Sequence, residues 1–152
     1  MKFTVYPHRG KEFTGKWIYE YAEKYKNDIG DLKNADILDY FNLVRNIPYV
    51  NDPELFRREY TELVARPGFC LQADKLDCKK KACLIGAYCE CNNFPYILVS
   101  CSEKPDKEIH HVFPAVCLDG KKKKYINFDA TYPNMYIGQP KTFLTFAEIL
   151  PR

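Results

Sequence analysis

The sequence lacks long hydrophobic runs and a strong excess of either charge. No apolar stretch in its 152 residues approaches the roughly 18 needed to cross a bilayer, so we expect no membrane partner. Residues 1–10 contain no signal-peptide core or cleavage site, which predicts a soluble protein made in the cytosol. A net charge of +3 is too small to indicate nucleic acid, and no aromatic stacking pattern accompanies the lysine runs.

A disulfide framework is also missing. The chain has seven cysteines, an odd number, and no export signal, so free thiols are expected. Repeats and low-complexity segments are absent apart from the two lysine runs, 79–81 and 121–124. With 46% hydrophobic and 15% aromatic residues, a chain of this length is expected to form one domain, residues 1–152, with a packed core.

Periodicity and capping residues predict helices first and strands later in the chain. The predicted helices span residues 12–27, 32–45, 53–63 and 78–92, and the predicted strands span residues 94–101, 108–118 and 123–131. Asn34 or Asp36 would cap the second helix, residues 66–75 would form an irregular loop, and residues 142–150 a closing helix or strand. This order indicates an α+β fold in which N-terminal helices and a central helix pack on an antiparallel sheet.

The predicted central helix begins with a cysteine. Asp77 is a good N-cap for this helix. At helical spacing, one face of the helix then contains a stripe of Cys78, Ala82, Ile85 and Cys89. Cys78 would lie at the positive end of the helix dipole, which favours a thiolate there. The alternative is a buried structural cysteine, so the helix alone does not establish a nucleophile.

A histidine and an aspartate on neighbouring strands supply the other parts of a thiol site. His111 and Asp129 lie on matching faces, and a three- or five-residue hairpin loop would place them directly opposite each other. A two-residue turn would separate them. His110 would be the base if the strand faced the other way.

These residues predict acyl-transfer chemistry. Cys78 would attack an acyl carbon, His111 would protonate the leaving amine, and Asp129 would fix the histidine tautomer. The Cys78 backbone N–H would form an oxyanion hole with Gln72, six residues earlier; the alternative for Gln72 is an ordinary exposed amide.

Three motifs resemble the transglutaminase-like superfamily of papain-fold thiol enzymes. They are Asp77-Cys78 at the helix start, His111 followed by Val-Phe-Pro-Ala-Val, and Asn127-Phe-Asp129-Ala-Thr131. The Ile47-Pro-Tyr49 entry is also similar. The lysines at 79–81 and Pro114, inside the histidine strand, depart from the family pattern.

The resemblance covers residues 34–133, with residues 1–33 as an N-terminal extension and helix and residues 134–152 as a closing segment. It implies a papain-like fold, a Cys-His-Asp triad and no metal or organic cofactor. It also implies a cysteine peptidase or amidase that acts on a peptide or protein. The compact form is similar to phage or mobile-element versions, which would place the chain in the host cytoplasm or virion, with virion proteins as partners.

Three alternatives remain at this point. The same acyl-enzyme could transfer to an amine, as in a crosslinking transglutaminase. The chain could instead be a non-catalytic phage structural or interaction protein that keeps the fold. A zinc site could use Cys89, Cys91, His110 and His111, although this spacing suits zinc poorly.

Overall fold

Helices and strands in six segments of the chain define the fold. The computed structural model describes residues 3–7, 11–50, 61–102, 111–121, 124–142 and 144–152. Its helices are α1 (Lys11–Lys24), a 3-10 segment (Lys26–Asn34), α2 (Ile37–Arg45), α3 (Pro67–Gln72) and α4 (Cys78–Asn92). Its strands are β1 (Phe3–Pro7), β2 (Thr61–Ala65), β3 (Tyr96–Ser102), β4 (His111–Val116), β5 (Ile126–Asn127) and β6 (Phe146–Leu150).

The strands form two antiparallel sheets. The larger sheet has the order β5-β4-β3-β6, and β1 pairs with β2 in a separate two-stranded sheet. Helix α4 packs against α1 and against β4, so it lies between a helix layer and the larger sheet. The predicted α+β class is confirmed, while the papain-like arrangement stays a prediction.

Helix α4 forms as the sequence predicts. The Asp77 side chain caps it by accepting a hydrogen bond from the Lys80 N–H at 2.9 Å, and Asn93 ends it in a left-handed conformation with φ 58°. The predicted stripe of Cys78, Ala82, Ile85 and Cys89 is buried, as are most residues between them. Among the described residues, no helix is long and apolar enough to cross a membrane.

Several predicted boundaries are wrong. The first helix ends at Lys24 and a 3-10 segment follows, kinked at Gly30 where φ is 54°. The second helix begins at Ile37, because the Asp36 carboxylate caps it by accepting from the Leu38 N–H at 2.9 Å.

The segment before the central helix also differs from expectation. Residues 61–63 are not helical but start β2, which pairs with β1; residues 53–60 lie outside the described segments. The predicted irregular loop contains α3, which has Pro67 at its first position. A helix or a strand was expected at residues 142–150. The structure has a strand there, residues 146–150, which pairs with β3.

The predicted third strand is much shorter in the structure, and its register differs. Ala115 pairs with Asn127 and Val116 with Ile126, so a continued ladder would place Phe113, not His111, opposite Asp129. The connection from β4 to β5 is centred on residue 121 rather than on residue 120 as expected, which shifts the pairing by two residues. A shift by two keeps His111 and Asp129 on matching faces, because side chains alternate with period two.

Pro114 lies where the ladder tolerates a missing N–H. Its carbonyl accepts a hydrogen bond from the Phe128 N–H at 2.8 Å. In an antiparallel ladder the N–H and C=O of one residue point to the same neighbour, so the nitrogen of Pro114 faces that side too. Since β5 ends at Asn127, the missing N–H of Pro114 would face Phe128, one residue past the end of that strand.

We predict that Gly86→Val destabilises the fold, because α1 and α4 pack too closely at this glycine to admit a larger side chain. A Cβ at Gly86 would lie 3.0 Å from the Ala22 Cβ and 3.0 Å from the Tyr96 hydroxyl oxygen. Overpacking of this kind costs about 1–3 kcal/mol, measurable by urea unfolding. The control Lys16→Val, at an exposed position of α1, should cost less than about 0.7 kcal/mol. Equal losses in the two variants would contradict the proposed close contact.

Candidate active site

Cys78 begins α4 and lies next to the segment that follows α2. Tyr49 forms an isolated parallel bridge with Leu76, two residues before the cysteine. The Leu76 N–H donates to the Pro48 carbonyl at 2.9 Å, and the Val50 N–H donates to the Leu76 carbonyl at 3.1 Å. These bonds fix the backbone just before the helix, so the thiol has a defined position at the helix N-terminus.

His111 and Asp129 are brought together as predicted, although not as directly opposed strand partners. His111 Nε2 lies 2.6 Å from Asp129 Oδ2. His111 is the first residue of β4 and Asp129 lies two residues beyond the end of β5, so their side chains meet across the end of the ladder. Since Asp129 occupies Nε2, the other ring nitrogen, Nδ1, is the one available to Cys78.

The Cys78 thiol lies close enough to the His111 side chain to raise its pKa, so the structure brings the three predicted residues together. Burial alone would lower the pKa of His111, but hydrogen bonds with Asp129 and Cys78 raise it to about 10. His111 therefore favours the imidazolium form at neutral pH. Cys78 is 7% exposed and the His111 side chain 14%, so both are largely buried.

Asp129 is buried and has further partners besides histidine. Its Oδ1 accepts hydrogen bonds from the Thr131 N–H at 3.1 Å and the Thr131 hydroxyl at 2.5 Å. Its Oδ2 also lies 2.5 Å from the Lys141 ammonium. Burial would raise the pKa of Asp129, but the hydrogen bond and charge of His111, together with Lys141, hold it well below its usual range.

A buried lysine fixes the backbone on which Asp129 lies. Lys81 Nζ donates to the carbonyls of Ala130 at 3.1 Å and Thr131 at 2.8 Å. Nζ also lies 2.5 Å from the carbonyl oxygen of Ile47 and 3.3 Å from that of Arg45. Burial lowers the pKa of Lys81 to about 8, while the charge of Asp129 acts in the opposite direction. Lys81 thus connects the cysteine helix, the chain after α2 and the Asp129 segment.

The remaining predicted site residues are not brought into this arrangement by any described contact. Gln72 is the last residue of α3 and is exposed, so its role as an oxyanion donor stays a prediction. His110 lies outside the described residues. Cys89 is buried in α4, and the Cys91 thiol lies 3.5 Å from the Lys26 carbonyl oxygen. In the described segments, no group of three or more His, Cys, Asp or Glu side chains could hold a metal ion.

Sequence reasoning missed two lysines of the site. Lys81 belongs to the lysine run at 79–81, to which the sequence assigns no role in the site, and Lys141 lies in the expected closing segment. Neither position carries a local signal, because the groups that each ammonium meets are 49 and 12 residues away, respectively. The threonine two residues after Asp129 was part of the quoted motif, and its hydroxyl is a direct partner of the carboxylate.

We predict that folding stability falls as pH rises from 6.5 to 8. A histidine whose pKa is raised on folding contributes stability that is complete below about 6.5 and is lost as pH rises through about 10. The slope is at most about 1.4 kcal/mol per pH unit for one proton. Above pH 8 the lowered pKa of Lys81 acts in the opposite direction, because the unfolded lysine then binds more protons.

Urea unfolding at several pH values would measure this slope, and Asp129→Asn should reduce it by removing the partner of His111. The matched control Asp119→Asn removes an exposed carboxylate from the β4–β5 connection and should leave the slope unchanged. A slope that Asp129→Asn does not alter would contradict the coupling between His111 and Asp129.

Comparison of the chain with models of known families, with curated proteins and with solved structures finds no match. The assignment to the transglutaminase-like superfamily therefore stays a prediction that depends on the motifs and on the geometry of the site.

Proposed function

We propose that the protein is a thiol-dependent acyl-transfer enzyme, most simply a cysteine peptidase or amidase, with Cys78, His111 and Asp129 as its catalytic residues. One observation carries the proposal. The thiol at the start of a buried helix lies beside a histidine whose pKa it raises, and Nε2 of that histidine bonds to a buried carboxylate at 2.6 Å. A nucleophile, a base and an orienting group in this order are what covalent acyl transfer requires.

The first half of the reaction forms the acyl-enzyme. The Cys78 sulfur attacks the carbonyl carbon of an amide, and a C–S bond forms while the carbonyl oxygen takes up negative charge. The Cys78 backbone N–H has no acceptor within the helix, because it belongs to the first turn, and it can donate to that oxygen. The His111 Nδ1 proton then passes to the leaving amine as the C–N bond breaks.

The second half returns the enzyme to its starting state. Neutral His111 removes a proton from water, and the resulting hydroxide attacks the thioester carbon. The C–S bond breaks, the carboxylic acid leaves, and the thiolate forms again beside the imidazolium. Asp129 supports both halves because its hydrogen bond to Nε2 keeps Nδ1 directed at the thiol.

We predict that iodoacetamide labels Cys78 rapidly at pH values below 7. The raised pKa of His111 favours an imidazolium, which pairs with a thiolate and keeps it nucleophilic. In His111→Ala, labelling at pH 6.5 should fall by up to about a hundredfold, because the thiolate loses its cationic partner. Peptide mass spectrometry between pH 4 and 9 would resolve the rate at each cysteine.

The other cysteines provide controls in the same sample. Cys91 is partly exposed, whereas the remaining five are buried, so Cys91 is the appropriate reference for a reachable thiol. If the pH profiles of Cys78 and Cys91 coincide, the site does not hold a thiolate–imidazolium pair, and the catalytic proposal fails.

Product analysis separates hydrolysis from crosslinking. A glutamine-containing peptide library, incubated with and without an added primary amine, should give free acids in both cases if water is the acceptor. Cys78→Ser is the matched control, since it keeps the shape of the site and weakens the nucleophile. Amine conjugates as the main product would replace the hydrolase by a transglutaminase, and turnover that survives Cys78→Ser would exclude this site.

A further inference from the structure

Two cations share one oxygen of the buried aspartate. His111 Nε2 lies 2.6 Å and Lys141 Nζ lies 2.5 Å from Asp129 Oδ2. The Lys141 side chain is only 11% exposed, and its ammonium lies 4.9 Å from the centre of the Phe113 ring. Lys141 is therefore held within the site rather than extended into solvent.

The charge on this carboxylate requires compensation through the whole reaction. Asp129 is 2% exposed, and an ionised carboxylate in such a position is costly without a charged partner. His111 supplies a positive charge only while it is protonated. Acyl transfer requires it to give up that proton to the leaving amine, so at that stage Asp129 needs another cation.

We propose that Lys141 is a positioning residue that serves as the permanent counter-ion of Asp129 and thereby allows His111 to release its proton. The catalytic part of this inference depends on the proposed function, whereas the electrostatic part does not. The four side chains then alternate in charge in the order thiolate, imidazolium, carboxylate, ammonium. Removing the last charge leaves Asp129 to stabilise the imidazolium alone.

The other charged groups at Asp129 do not take over this role. Lys81, from α4, faces the same segment, but its ammonium donates to the backbone carbonyls of Ala130 and Thr131. Thr131 donates to Oδ1 and carries no charge. Among the described partners of Oδ2, Lys141 is thus the cation that does not itself take part in proton transfer.

The electrostatic part is tested in a protein that cannot form the thiolate. In Cys78→Ser, NMR of ¹⁵N-labelled histidine would follow the titration of His111, assigned with a His111→Asn variant. Adding Lys141→Met should raise the midpoint of His111 by about one pH unit, because a nearby positive charge is lost. Adding Lys141→Arg should restore the midpoint, and Lys121→Met, at an exposed lysine, should leave it unchanged.

A purely structural role for Lys141 predicts the opposite sign. If the lysine only held its own segment in place, its loss would loosen Asp129 and lower the midpoint of His111. A midpoint that falls or stays constant in Lys141→Met therefore overturns the inference. If Lys141→Met does not fold, as judged by circular dichroism, Lys141→Gln takes its place with the same expected sign.

The catalytic part is tested with Cys78 present. Lys141→Met should reduce kcat by up to about tenfold, the effect of one pH unit in proton affinity, while iodoacetamide labelling of Cys78 at pH 6 is undiminished. Equal loss of labelling and turnover would contradict a role in proton release. If the unsubstituted protein shows no turnover, the proposed function fails, and the titration in Cys78→Ser still decides whether Lys141 sets the proton affinity of His111.

Discussion

The geometry of the site depends on the hydrogen bonds and ion pairs of the buried Asp129 carboxylate. It is almost fully buried and accepts hydrogen bonds from three side chains, those of His111, Thr131 and Lys141, and from one backbone N–H. These groups come from the start of β4, from the turn after β5 and from the segment before β6. A buried negative charge is tolerated only with such partners, so its presence constrains all three segments at once.

That constraint reaches the cysteine through two separate connections. One is the imidazole of His111, which bonds to Asp129 and lies close enough to Cys78 for the thiol to raise its pKa. The other is Lys81, one helical turn after the cysteine, whose ammonium bonds to the carbonyls that follow Asp129. The thiol and the carboxylate are therefore linked both through the His111 side chain and through the backbone. Such double support would hold the proposed nucleophile and base in a fixed relative position.

Local signals explain what could be predicted from the sequence. The α4 helix follows from Asp77 as its cap and from a stripe of small apolar residues, all within 15 residues of chain. The matching faces of His111 and Asp129 follow from the two-residue period of strands. The exact register does not, because it depends on where the connection between β4 and β5 is centred, and no local signal fixed that position.

Long-range contacts account for the errors. Thr61–Ala65 is a strand because β1, more than 50 residues earlier, offers it backbone partners, and no local pattern reveals that pairing. Helix-capping residues predicted helix starts better, since Asp36 was one of the two expected caps of α2. Lys141 could not be assigned from the sequence, because only the folded turn at Asp129 gives its ammonium a partner.

The three lysines after Cys78 are identical in sequence but have different partners in the folded protein. Successive helix positions point about 100° apart, so three adjacent lysines meet three different surroundings. Lys79 pairs with Asp77 Oδ2 at 2.7 Å near the surface, whereas Lys80 is buried 3.4 Å from the same oxygen. Lys81 points to the backbone carbonyls around the Asp129 segment. Each lysine of the run thus has its own place, and the third joins the helix that begins with Cys78 to the segment that contains Asp129.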